Sequence, residues 1–304
     1  MAVGDVLVLR ALGLGDLLTA VPALRGVRRG LPGRVVLAAP AGLAPLALLT
    51  GGVDAVVDTA PLAPLDPALH GCGTAVNLHG RGPQSTARLR ETSPGRLLAY
   101  DVPGGPAWDE AEHERVRWCR LLTSSGLAAD PDDLDVAPPP GAPPVRGAVL
   151  VHPGAMYASR RWPAQRWAQV AAALHADGHR VLVTGSAAER PLAVEVAERA
   201  GLAGDAVLAG RTDLLGLVAL VAAARLLLSG DTGTAHVATA VGTPSVVLFG
   251  PASPHRWSPP AQRTQHRVLW SGRTGDVFAD APDPGLLTLT VADVLAEAAT
   301  ALAT

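Results

Sequence analysis

Four short motifs carry the residue types from which a reaction can be built. Gly13-Leu14-Gly15-Asp16 follows the apolar run Val6-Leu7-Val8-Leu9 and ends a glycine turn in a carboxylate. Such an acid caps the free N–H groups of a helix start, where the dipole favours it. A dinucleotide fingerprint would place a third glycine where Leu18 stands, which argues against nicotinamide chemistry. Asp231-Thr232-Gly233-Thr234-Ala235-His236 follows the apolar run 226–229. Small residues at a strand-to-helix turn leave backbone N–H groups free, making either a seat for phosphate or pyrophosphate or an ordinary capped turn. His236 stands in that helix as a ligand contact or as a packing residue. His152-Pro153-Gly154-Ala155 ends a third strand, and Ser159-Arg160-Arg161-Trp162-Pro163 sets two cations just before a helix, against its dipole. An anion shared between a guanidinium and helix ends would justify that placement; solvent exposure is the alternative. Gly185-Ser186-Ala187-Ala188-Glu189 is the fourth, with Glu189 either accepting from ribose hydroxyls or serving as a first-turn acid.

The remaining composition removes whole classes of function. Cys72 and Cys119 stand apart, without a CxxC spacing or a Cys/His cluster, so both read as buried thiols and neither a disulfide framework nor a zinc site is indicated. Asp130-Pro131-Asp132 and Asp133-Leu134-Asp135 repeat the DxD spacing of metal-dependent transferases, but in a polar stretch, and read as solvated loop acids. No metal and no cofactor is expected. A net charge of −2, a pI near 6.5 and no basic run leave no electrostatic footprint for nucleic acid. Asp5, Arg10 and Asp16 interrupt the region where a signal peptide needs an apolar core. Pro40, Gly42, Pro45, Gly51 and Gly52 break the longest uncharged stretch, from Val35 to Val53. A cytoplasmic protein without an integral membrane segment is therefore expected. All 25 basic residues are arginine, isoleucine is absent and Asn77 is the one asparagine, the mark of GC-rich codons. A lysine-based site would here be rebuilt with arginine.

These motifs need elements to hold them. With 304 residues, 48% hydrophobic and 17% charged, the chain can bury a large core, and its length points to two domains. Short apolar runs alternate with amphipathic stretches, the pattern of βαβ units and a parallel sheet. In the first half, strands are predicted at 6–9, 35–38, 55–58, 75–78 and 96–100, with a helix from Leu17 to about Arg28. The segment APPPGAPPVRG from Ala137 holds five prolines and two glycines in eleven residues and reads as a semi-rigid connector. In the second half, strands are predicted at 148–152, 181–184, 226–229 and 245–249. Helices are predicted after Pro163 up to Gly178, from about Ala188 to before Gly201, and over 214–224 with Thr212 as cap. The closing segment TVADVLAEAATALAT sets Thr290 and Asp293 at capping-box spacing. The α/β reading is thus a domain at 1–140, a second at 147–285 and a final helix within 286–304, with a small-molecule cleft between the domains.

In order along almost the whole chain, GLGDLL, HPGA, RRWP, GSAAE and GRTDLLGLVALVAAARLLLSGDTGTAHVATAVGTPSVVLFGP together resemble the heptosyltransferases of glycosyltransferase family 9, the last block most specifically. The resemblance implies a GT-B fold: two Rossmann-like domains facing a central cleft, acceptor on the first, nucleotide-sugar on the second, and the final helix crossing back to the first. It implies an ADP-heptose donor and inverting, metal-independent transfer. Carried over by position, Asp16, in the loop with Gly13 and Gly15, matches the general base. Arg160 stands at or beside a diphosphate-binding lysine, with Arg161 the other candidate. Glu189 matches the ribose contact and Asp231 a sugar-contacting acid, while Thr232, Gly233 and Thr234 match the backbone that holds the diphosphate. Thr212 and His236 complete the donor side. Arginine in place of lysine keeps the charge and can bind phosphate oxygens bidentately with a different geometry. His79, Arg81 and Arg88 in NLHGRGPQSTARLR are candidate acceptor contacts or solvated loop residues. GC-rich composition fits bacteria that often lack lipopolysaccharide, so the expected acceptor is a hydroxyl of a small natural product, aminoglycoside- or nucleoside-like. The alternatives are a lipopolysaccharide-type or other cell-envelope glycan, an epimerase on the same architecture, and a noncatalytic nucleotide-sugar-binding protein.

Overall fold

The computed structural model describes residues 1–304 except Val3, Ala142, Pro144 and Thr304, so two residues of the proline-rich connector and the last residue of the closing segment lie outside the described residues. The chain divides into two compact units, Met1–Ala137 and Pro138–Thr304.

The first unit runs β1 (Val6–Leu9), α1 (Leu14–Gly30), β2 (Val35–Ala39), α2 (Ala44–Leu49), β3 (Ala55–Asp58), β4 (Thr74–Asn77), α3 (Gln84–Glu91), β5 (Arg96–Leu98) and α4 (Glu114–Thr123). Its strands form one parallel sheet in the order β3-β2-β1-β4-β5. Every residue of β1 and β2 is buried, as expected of parallel strands covered on both faces. On α1, Leu17, Leu18, Val21, Leu24 and Val27 form the buried stripe. Gly26 lets this helix come close to its neighbour, since a Cβ there would stand 3.0 Å from both Leu122 of α4 and the Ala128 carbonyl.

Three readings change here. The helix α1 begins at Leu14 rather than Leu17, because Asp16 accepts a hydrogen bond from the Gly13 N–H at 3.2 Å and draws Gly15 and itself into the first turn. Asp132 and Asp133 are not simply solvated acids: Asp133 pairs with Arg25 at 2.6 Å and Arg29 at 2.7 Å on α1, and Asp132 with Arg115 on α4 at 2.5 Å. They tie the segment after α4 to two helices. The sequence reading also lacked α3 and α4, for in α3 arginines obscure the apolar stripe and in α4 Arg117, fully buried, occupies a core position.

The second unit runs β6 (Val149–His152), α5 (Ala164–Ala176), β7 (Val181–Val183), α6 (Arg190–Arg199), α7 (Leu214–Ala222), β8 (Leu226–Gly230), α8 (Gly233–Val241), β9 (Ser245–Phe249), α9 (Pro254–Trp257), β10 (His266–Trp270), α10 (Pro284–Thr288) and α11 (Val291–Leu302). Its parallel sheet has the order β10-β9-β8-β6-β7. Asp213, not Thr212, caps α7, its carboxylate accepting from the Gly216 N–H at 2.7 Å. The capping box of Thr290 and Asp293 opens α11 as the spacing predicts. On that helix Val294, Ala298 and Ala301, at helical spacing, bury their side chains in the core of the second unit with Trp162, Val246 and Leu248. Strand β10 was not predicted, because it lies at the sheet edge and of its five residues only His266 is buried, so it shows no apolar alternation.

Candidate active site

Parallel strands bring their carboxyl ends to one edge, and the chain leaves a crevice where strand order reverses. In the first sheet that reversal lies between β1 and β4, which pair with Leu9 opposite Asn77. The loops leaving these strands carry Arg10 to Asp16 and Leu78 to Arg81. Asp16 Oδ2 accepts from the Gly13 N–H and Oδ1 from Arg10 Nη2, each at 3.2 Å, and the side chain is 29% exposed, so lone pairs remain open to a ligand. His79 is half-buried within electrostatic range of both: burial and the Arg10 guanidinium hold its imidazole below the ordinary range against the pull of Asp16. It is therefore neutral at pH 7, with Nδ1 buried and lacking a hydrogen-bond partner among the described residues. Arg81 is exposed and pairs through Nε with Asp101 at 2.6 Å, while Arg88 pairs with Glu91 at 2.9 Å. Arg81, Arg90, Tyr100 and Asp101 line a cavity of about 370 Å³ at the loops after β4 and β5.

In the second sheet the reversal lies between β6 and β8, with His152 opposite Ser229. The loop after β8 turns into α8 at Thr232, whose extended backbone caps the helix. The N–H groups of Thr232, Gly233 and Thr234 have no intrahelical partner at that position. Around them lie buried polar atoms that have no hydrogen-bond partner among the described residues: Ser229 Oγ, Thr232 Oγ1 and Arg160 Nε. Arg160 closes the group by donating from Nη1 to Asp231 Oδ2 at 3.3 Å. Arg161 instead spends its Nε on the Ala155 carbonyl at 2.8 Å, so of the two arginines Arg160 is the one directed into the group. Orphan amides, hydroxyls and a guanidinium converging at a helix start form an anion seat.

Glu189 borders this seat from the loop after β7. Its Oε2 accepts from the Ser186 N–H at 2.7 Å. Burial pushes its carboxyl up, but hydrogen bonds from Ser186 and the nearby Arg161 outweigh burial and hold it below the usual carboxylate range. Gly154 is required beside it, because a Cβ at that position would overlap the carboxylate. His152 was named in its motif without a role. It is buried, with Nδ1 3.0 Å from Thr184 Oγ1 and Nε2 3.4 Å from Thr234 Oγ1, and burial lowers its pKa in spite of Glu189. A neutral imidazole thus ties the end of β7 to the anion seat. Its only signal in the sequence was a polar residue closing an apolar strand just before Pro-Gly. His236, in the first turn of α8, meets Trp257 edge to face at 6.2 Å between centroids. Thr212 stays in the loop before α7, which passes close to Ala187 at Gly210. Among the described residues no three His, Cys, Asp or Glu side chains gather as a metal-holding group, and no helix is long and apolar enough to cross a membrane.

A family model described as glycosyltransferase family 9 (heptosyltransferase) matches residues 123–275. That stretch contains Arg160, Glu189 and the Asp231–His236 motif but not Asp16. Lipopolysaccharide heptosyltransferase 2 of Escherichia coli (strain K12) is 33% identical over 153 residues, 48% of this chain and 44% of that protein. The chain thus spans less than half the length of the curated relatives it matches in sequence. In three dimensions the E. coli ADP-heptose lps heptosyltransferase II matches over 98% of both chains with a TM-score of 0.80 at 21% identity. An E. coli heptosyltransferase solved with ADP matches over 98% of this chain and 99% of that one, with a TM-score of 0.72 at 19% identity. The fold is therefore GT-B.

Proposed function

The chain belongs to glycosyltransferase family 9, and from that premise we propose that it transfers a heptose from an ADP-sugar to a hydroxyl of a cell-envelope glycan, with inversion and without a metal ion. The observation that carries this reading is the anion seat of the second unit, where Arg160, the amides of residues 232–234 and two orphan hydroxyls converge. A nucleoside diphosphate is the anion that such a seat in this family would take.

The reaction is one displacement. Asp16 accepts the proton of the acceptor hydroxyl while its oxygen bonds to the anomeric carbon and the bond from that carbon to the β-phosphate oxygen breaks. ADP leaves with the bonding electrons. Arg160 and the amides meet the charge that develops on the β-phosphate, the task a metal performs in other transferases. Arg160 turns toward the phosphate, and the Asp231 carboxylate beside it contacts a sugar hydroxyl. Glu189, kept ionised, accepts from the ribose.

The acceptor expected from composition changes. Relatives named for lipopolysaccharide and lipooligosaccharide support the glycan alternative over a small natural product. We place the acceptor on the first unit, toward His79 and the cavity lined by Arg81. The test is purified protein with ADP-heptose, a heptose-free core glycan and EDTA, followed by ADP release and by mass. One added heptose is expected, and Asp16→Asn should lower kcat by about 10³-fold while calorimetry shows ADP still bound. Transfer only to a small hydroxylated molecule would restore the natural-product acceptor. Donor conversion without an acceptor would make the protein an epimerase, and rescue by Mg²⁺ after loss in EDTA would overturn the metal-free mechanism.

A further inference from the structure

Arg10 is 1% exposed, and nothing about its charge recommends that place at the end of β1. A buried cation must be fully hydrogen-bonded to persist, and a link between strands and a helix is made at lower cost by apolar side chains. The fork of Arg10 is used on every side. Nε donates to the Asp16 carbonyl at 3.0 Å, Nη1 to the Leu78 carbonyl, and Nη2 to Asp16 Oδ1 at 3.2 Å and Thr19 Oγ1 at 3.4 Å. Its carbon centre stands 4.7 Å from the centroid of the Trp118 ring, and Glu114 Oε2 lies 3.7 Å from Nη2. The plane of the guanidinium is thus set by the carbonyl that ends β4 and by an aromatic face of α4. From that fixed plane it grips both the backbone and the carboxylate of Asp16.

We propose that Arg10 is the positioning residue for the base: it locks the Asp16 carboxylate in one orientation, one oxygen held and its remaining lone pairs open to the acceptor. The proposal rests on the reading of Asp16 as the base. Without the guanidinium, only the Gly13 N–H would restrain the carboxylate, which would rotate about its side-chain bonds. The charged and titratable groups on the elements around Asp16 are Arg10 from the loop after β1, His79 from the loop after β4, and Glu114 with Arg117 from α4. Glu114 is shared between the two arginines.

The test uses Arg10→Gln and Arg10→Lys in the full chain, with ADP calorimetry as the check on folding, since the donor groups lie in the second unit. Carbon-13 NMR of the carboxyl groups, with Asp16→Asn to assign the signal, reads Asp16 without turnover. Arg10→Gln should displace and broaden that carboxyl signal, as the carboxylate loses its fixed orientation. It should lower kcat by about 100-fold with the donor KM within about twofold. In an Asp16→Asn background it should cost nothing further. Arg10→Lys should lower kcat less, because one ammonium cannot hold the Asp16 carbonyl and carboxylate with the geometry of a fork. Parental kcat in either folded variant overturns the proposal, as does a loss that persists undiminished beside Asp16→Asn. Should Arg10→Gln not fold, Arg10→Lys with the parental kcat and carboxyl signal overturns it alone. A displaced Asp16 signal in a protein that transfers no heptose supports the placement and rejects the proposed reaction.

Discussion

A methyl group at position 154 would stand where the Glu189 carboxylate now lies, and this overlap is with the tip of a flexible side chain rather than with backbone. Gly154→Ala should therefore leave the fold intact and displace Glu189. We expect ADP to bind about tenfold more weakly, and Glu189→Gln in the same chain to add less than it does alone, as calorimetry on the single and double variants will show. Equal losses in series would mean that Gly154 acts on something else. At this scale the acids were the legible part. Asp16, Glu189 and Asp231 each follow an apolar run and a small-residue turn, and a strand end with a carboxylate announces itself locally. Arg10 and His152 did not, because their interest lies in being buried, and burial is decided by residues far along the chain. Arg160 and Arg161 were indistinguishable neighbours until one was found turned to a carbonyl and the other to Asp231.

The pairing of β9 with β10 has a titratable joint. His266 is buried, its Nδ1 2.9 Å from Ser245 Oγ and its Nε2 without a partner among the described residues, and burial together with Arg263 brings its pKa down to about 4. In the unfolded chain the same imidazole takes its proton near 6.5. Stability from the neutral ring is thus complete above about pH 6.5 and is lost as the pH falls toward 4, by roughly 3 kcal/mol in all. Thermal melts at pH 7.5, 6 and 5 should show the parent losing stability faster than His266→Gln, which removes the group that must charge. A gap between the two that stays constant with pH would refute this. His152 carries the same sign but belongs to the site, so His266 is the cleaner reporter. Elements with clean periodicity, such as β1, β6, β9 and α11, were read from the sequence nearly to the residue. Those with a charge in the core position or a half-exposed edge, α4 and β10, were not.

Across the whole molecule, the groups proposed to hold the donor all lie in Pro138–Thr304 and the proposed base, Asp16, in Met1–Ala137. Arg146 is exposed in the connector that joins them. Brief trypsin treatment should cut there first, and the nicked protein should keep its affinity for ADP; loss of ADP binding on nicking would show that the donor seat depends on the first unit. By itself the sequence determined the alternation of strands and helices, the turns that present acids and amides at strand ends, and the caps of the final helix. All of these follow from hydrogen bonding and side-chain spacing over a few residues. Tertiary structure alone decided which arginine faces Asp231, that Arg10 grips Asp16 from a plane set by Leu78 and Trp118, that Asp132 and Asp133 are ion-paired, and that the last helix lies in the second core. Each of those outcomes depends on distances between residues tens of positions apart, which no local pattern encodes and only the closed, packed chain sets.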